Sequence, residues 1–192
     1  MQKNIVETIK ENIALIIRPK QQWIKVINDK RKEQGVFLNL FFPGLILILV
    51  TVLLGSFLFE STYGFLFKYA VIKSVRAVLL VFTTFITSTL ILYEVSRWYK
   101  VPIDFETSRR LVVYSMLPYV FITIICGLFP FLTFLRLASF YSFYLLYSGL
   151  VTIYNINPYR KIAYLSVLFI SMLLAFILVS YFLSLLTALI VY

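Results

Sequence analysis

Residues 36–59 read VFLNLFFPGLILILVTVLLGSFLF, with no charged side chain in the run. An α-helix rises 1.5 Å per residue and a bilayer core is about 30 Å thick, so a stretch of this length and character crosses a membrane. Four further stretches satisfy the same arithmetic, at about residues 77–99, 111–129, 132–154 and 162–192. The tract Phe65–Arg76 is already rather apolar, so it reads either as an interfacial helix or as an early start of the second span. Only Pro130-Phe131 separates the third span from the fourth, which predicts a tight antiparallel hairpin. The fifth stretch exceeds a bilayer core and must tilt or project beyond it. The expected fold is all-α: a polytopic membrane protein whose residues 36–192 form a five-transmembrane-helix bundle. Residues 1–35 form an amphipathic N-terminal segment before it.

Composition agrees and narrows the chemistry. Of 192 residues, 61% are hydrophobic and 14% charged, where soluble domains run at about 45–50% and about 25%. There is no histidine and one cysteine, Cys126. That excludes an intrachain disulfide framework, a multi-cysteine metal site and the usual histidine-dependent acid–base machinery. No phosphate-cradling glycine loop occurs either. The chain is therefore expected to be no enzyme, and to need neither cofactor nor metal.

The net charge of +10 reads as a topology signal, because basic residues in short flanks are held on the cytoplasmic side. The N-terminal segment carries Lys3, Lys10, Arg18, Lys20, Lys25, Lys30, Arg31 and Lys32. Arg97, Lys100, Arg109 and Arg110 surround the second connection, and Arg160 and Lys161 the fourth. Lys68, Lys73, Arg76 and Arg136 fall on the opposite side. Fourteen against four predicts a cytoplasmic N-terminus and an external C-terminus. No strand pattern or zinc spacing supports nucleic-acid binding.

Within the N-terminal segment, Ile5, Val6, Ile9, Ile13, Ile16 and Ile17 recur at helical spacing. A second short helix is predicted from Pro19 to Lys32, with Trp23, Ile24 and Ile27 as its apolar stripe. Arg18, Lys20, Trp23, Lys25, Lys30, Arg31 and Lys32 are candidate contacts to anionic lipid headgroups at the cytoplasmic face or to a partner. The helices could equally pack on the ends of the spans.

Ionisable groups inside spans are the default functional candidates. Glu94 and Arg97, three apart on the second span, can form an intramembrane ion pair. Arg136 reads as an anchor near the start of the fourth span, and Asp104 and Glu106 as holders of Arg109 and Arg110. The hydroxyls Thr83, Thr84, Thr87, Ser88 and Thr89 read as helix-packing groups before a polar path. Pro43 and Pro118 are candidate kinks. Tyr114, Tyr141, Tyr144, Tyr147 and Gly149 are candidate packing determinants, the last admitting a neighbouring backbone. Two function classes remain. One is a non-enzymatic protein that assembles with other membrane proteins, or with itself, or organises lipid. The other is a small transporter, channel or lipid-translocating protein.

The order of features resembles a known family. RPKQQWIKVINDK (residues 18–30) precedes the spans, YSMLPY (114–119) lies in the third, and YSFYLLYSGL (141–150) in the fourth, with NPYRKIAY (157–164) before the fifth. This is similar to the Yip (Ypt-interacting protein) superfamily, in particular its prokaryotic branch. The resemblance implies a five-helix bundle with a cytoplasmic N-terminus and an exoplasmic C-terminus, here in a prokaryotic cytoplasmic membrane. Eukaryotic members are associated with Rab-type GTPases and vesicle traffic. Their Asp-Leu-Tyr-Gly-Pro stretch is absent from this sequence, so the resemblance carries no GTPase-binding role.

Overall fold

In a computed structural model, residues 19, 22–23, 41–60, 67–154 and 158–191 are described. In chain order they form α1 (Phe42–Glu60), α2 (Phe67–Trp98), α3 (Phe105–Ser115), α4 (Leu117–Leu128), a 3₁₀ helix η1 (Pro130–Phe140), α5 (Tyr141–Ile153) and α6 (Pro158–Val191). Five helical stretches are long and apolar enough to cross a membrane: Phe42–Phe59, Phe67–Trp98, Phe105–Leu128, Pro130–Ile153 and Tyr159–Ile190. The protein is an all-helical, five-span integral membrane protein, and no strand occurs among the described residues.

Three of the spans differ in detail from the hydropathy reading. The second is one continuous helix from Phe67, ten residues ahead of Ala77. Its buried side chains include Ala70, Ser74, Val81, Phe85, Thr89, Leu92 and Ser96. They fall at intervals of three, four or seven, so the face that packs runs unbroken through the basic lead-in. The third span starts at Phe105 and breaks at Met116, with Pro118 in the first turn of α4. Proline lacks the N–H that would continue the ladder.

The break lets one span serve two sets of neighbours. Its first half, α3, packs on α2 and α5, whereas its second half, α4, packs on α1 and η1. The third span is accordingly the most buried, with 56% of its central window inside the protein against 22% for the second and fifth.

The fourth span enters as a 3₁₀ segment of eleven residues interrupted by a kink at Leu132, whereas such helices rarely exceed three or four residues. Pro43 lies in the first turn of α1 and opens that helix.

The largest interface joins α1 and α4, and glycine makes it possible. A Cβ placed on Gly55 would overlap the Gly127 carbonyl oxygen, and one on Gly127 would come within 2.8 Å of Val52 Cγ2. Backbones in contact of this kind are the membrane counterpart of core packing, because apolar side chains gain nothing by leaving lipid tails.

Candidate functional site

The level at which the membrane begins is written into the α2–α6 pair. Ser96 on α2 shares a 2.8 Å hydrogen bond with the Tyr164 hydroxyl on α6. At the other end, Arg76 Nη2 donates to Ser184 Oγ at 3.2 Å. Twenty residues separate the two contacts on each helix, about 30 Å at the helical rise, which is the thickness of a hydrocarbon core. Between the contacts α6 carries no charge and α2 carries only Glu94. The two polar contacts are therefore about one hydrocarbon thickness apart along the helix pair.

Just beyond the Ser96–Tyr164 contact, α2 ends in a Schellman motif. The Val101 N–H donates to the Ser96 carbonyl at 2.9 Å and the Lys100 N–H to the Arg97 carbonyl at 3.2 Å. This closure requires a left-handed residue at its centre. That residue is Lys100, with φ of +56°, the one non-glycine residue of positive φ among those described. Val101 and Ile103 turn inward and are buried, so the short connection is held from below. Asp104 stands at the N-cap of α3, yet its carboxylate makes no capping hydrogen bond.

The connection borders an open cleft of about 540 Å³ lined by Tyr93, Arg97, Lys100, Val101, Pro102, Ile103 and Asp104. Two cations and one carboxylate thus meet at the membrane edge. The Tyr93 ring forms one wall, held edge-on against Phe105 with centroids 5.8 Å apart. Burial raises the Tyr154 phenol above its usual range, and the nearby negative charge of Asp104 adds to this, while a hydrogen bond with Thr107 acts the other way. Arg97 lines the cleft and Glu94 does not, although both are exposed at the end of α2. Asp104 faces the cleft shared with Arg97 and Lys100.

A second constellation lies where the N-terminal segment meets the bundle. Trp23 is fully buried in the core, in keeping with the alternative in which the N-terminal helices pack on the ends of the spans. The reason is shape. Gly149 leaves a slot in α5, and a Cβ there would come within 2.9 Å of Trp23 Cε2 and 3.0 Å of Leu111 Cδ2. The indole meets the buried Tyr114 ring edge-on, centroids 6.2 Å apart. Its Nε1 and the hydroxyl of Ser148, next to Gly149, are buried without a hydrogen-bond partner among the described residues. Arg18, Lys20, Lys25, Lys30, Arg31 and Lys32 lie outside the described residues.

The tyrosines of α5 divide. Tyr141 and Tyr144 have ring centroids 5.3 Å apart, and Lys161 on α6 lies 5.9 Å over the Tyr147 ring. Tyr144 and Tyr147 are exposed. The α2 hydroxyls turn onto their own helix: Thr83 to Leu79 O, Thr84 to Leu80 O, Thr87 to Thr83 O and Thr89 to Phe85 O.

The hydropathy reading missed three things. It did not single out Lys100 or Tyr93, because αL backbone at a lysine leaves no mark in composition. It passed over Gly55 and Gly127, although glycine inside an apolar helix is the usual sign of close approach. It also overlooked a repeat of three in the fourth span. Phe131, Phe134, Leu137 and Phe140 alternate in register with Thr133, Arg136, Ser139 and Ser142. In a 3₁₀ helix, i and i+3 eclipse, so beyond the kink at Leu132 Phe134, Leu137 and Phe140 share one edge and Thr133, Arg136 and Ser139 another, while Ser142 already belongs to α5. Arg136 thus stands about 12 Å along η1 from Pro130, exposed and within electrostatic reach of Tyr119. Tyr119 in turn meets Phe176 of α6 edge-on at 6.1 Å.

Among the described residues no group of three or more Cys, Asp or Glu could hold a metal ion. Comparison with curated proteins and comparison with solved structures each find no match. The family model of the Yip1 domain matches residues 13–181, a stretch that includes Trp23, the cleft and all five spans up to Tyr181 of α6, and the chain belongs to that family.

Proposed function

We propose that this Yip-type membrane protein performs no chemistry of its own and acts by assembling with other membrane proteins, or with itself, or by organising the lipid around it. The observation that carries this is η1. None of its eleven residues is buried, and Phe131, Phe134, Leu137 and Phe140 are 67%, 65%, 72% and 56% exposed. Beyond a kink at Leu132, at about 2 Å per residue, the eclipsed Phe134, Leu137 and Phe140 make a ridge about 12 Å long, a shape that a groove on another helix pair can receive. A photoreactive side chain placed at Phe134 or Leu137 in native membranes should cross-link to protein far more than one at Leu178, which is equally exposed on α6. Lipid adducts alone at all three positions would remove the assembly reading.

The charge asymmetry supports a cytoplasmic N-terminus in a prokaryotic cytoplasmic membrane, with the basic N-terminal residues on anionic headgroups. Reporter fusions at both termini test the orientation. A second reading, a small transporter, channel or lipid-translocating protein, is favoured by the polar edge Thr133, Arg136 and Ser139. It requires flux in reconstituted vesicles that falls on Arg136→Gln.

A further inference from the structure

We propose that the cleft at the α2–α3 connection binds the headgroup of a glycerophospholipid carrying both a phosphate and a primary ammonium, as phosphatidylethanolamine does. The cleft lies at the right level. The cleft-lining Arg97 follows Ser96, whose contact with Tyr164 is about one hydrocarbon thickness along the helices from the Arg76–Ser184 contact. Lipid phosphates sit at that depth, with acyl chains running back along the helices. The exposed Phe105 beside Tyr93 offers them an apolar surface.

The donor set selects the headgroup. Arg97 and Lys100 supply charge-assisted hydrogen bonds to phosphate oxygens. Two cations alone would accept any phospholipid and favour anionic ones. The third charge in the cleft is the Asp104 carboxylate, which accepts charge-assisted hydrogen bonds from an ammonium and gains less from the uncharged glycerol of phosphatidylglycerol. The carboxylate makes no capping hydrogen bond to α3. A trimethylated ammonium offers that carboxylate no N–H. The cleft also exists before any lipid arrives. The Schellman closure and the buried Val101 and Ile103 hold the connection, and the left-handed Lys100 points its stem where a helical residue would not. The cleft is separate from the η1 ridge, so either proposal can fail without the other.

The test uses the full chain in mild detergent, titrated with phosphatidylethanolamine, phosphatidylcholine or phosphatidylglycerol of equal chain length and read by native mass spectrometry. Phosphatidylethanolamine should be retained about tenfold better than either of the others, in keeping with one charge-assisted hydrogen-bond set gained or lost. Asp104→Asn should abolish the preference over phosphatidylcholine and raise phosphatidylglycerol binding. Lys100→Gly should weaken both phosphatidylethanolamine and phosphatidylglycerol. Glycine adopts this backbone conformation without strain, so that variant folds and separates lost binding from lost structure. Water-soluble glycerophosphoethanolamine at the same concentration should not compete, because it lacks the acyl chains. Equal binding of the three lipids, an unchanged preference in Asp104→Asn, unchanged binding in Lys100→Gly, or full competition by the soluble headgroup would each overturn the proposal.

Discussion

The α1–α4 interface and η1 both carry large apolar side chains, η1 interrupted by Thr133, Arg136 and Ser139, and they behave in opposite ways. In α1 and α4 two backbones touch, because Gly55 and Gly127 leave no side chain between them. In η1 every residue stays unburied, and Phe131, Phe134, Leu137 and Phe140 face outward. The contrast teaches that hydrophobicity does not decide what packs inside a membrane. Lipid tails solvate leucine and phenylalanine as well as a protein interior does. Close contact between backbones, and polar groups that need a partner, decide instead.

Substitutions break or sharpen this contrast. The largest effect is expected at Gly55→Leu. Its side chain would have to enter the Gly127 carbonyl, beyond the ~3 kcal/mol that ordinary overpacking costs. Little or no monodisperse protein should be recovered by size-exclusion chromatography. Leu137→Ala, on the exposed ridge, should stay within about 0.5 kcal/mol of the parent in thermal unfolding. Equal damage from both would erase the distinction.

Trp23→Ala comes next, because the Trp23 seat at Gly149 belongs with the glycine-built contacts. Removing a buried indole costs roughly 3–5 kcal/mol. The melting temperature should fall, and limited proteolysis should cleave ahead of α1 sooner. Insensitivity to this change would mean that the N-terminal segment is not part of the core.

The α2–α6 pair lies between the extremes, fastened by hydroxyls at the membrane edges. Tyr164→Phe deletes the bond to Ser96 and should cost about 1 kcal/mol. Lys100→Gly is the smallest effect and has the opposite sign. It relieves a left-handed lysine while adding freedom to the unfolded chain, for a net gain of about 0.5 kcal/mol.

Much of the architecture was legible because each span satisfies its own backbone. The all-α class, the five spans and the hairpin at Pro130 follow from uncharged length and from proline. Pro118 likewise foretold a break, which the structure places at Met116. The start of α2 was harder to see. Lys73 and Arg76 interrupt the hydropathy there, and only the packing of Ala70 and Ser74 shows that the helix continues. The cleft was half legible. Arg97 stood out as a charge at a span end, whereas its company with Lys100, Tyr93 and Asp104 depends on how the connection turns. Trp23 read as part of an apolar stripe that meets lipid or a partner or packs on the spans, and local sequence does not choose among these. Its true seat depends on Gly149, 126 positions further along the chain.

Residue order alone settled how often the chain crosses the bilayer, since a helix in lipid must close its hydrogen bonds within its own segment. Which helix lies against which was decided by the folded assembly: α4 on α1, α6 on α2, and η1 left open. In a solvent as oily as the side chains, hydropathy ranks no apolar face above another. Shape at Gly55, Gly127 and Gly149, and the hydroxyl and guanidinium contacts at the two membrane edges, make that choice.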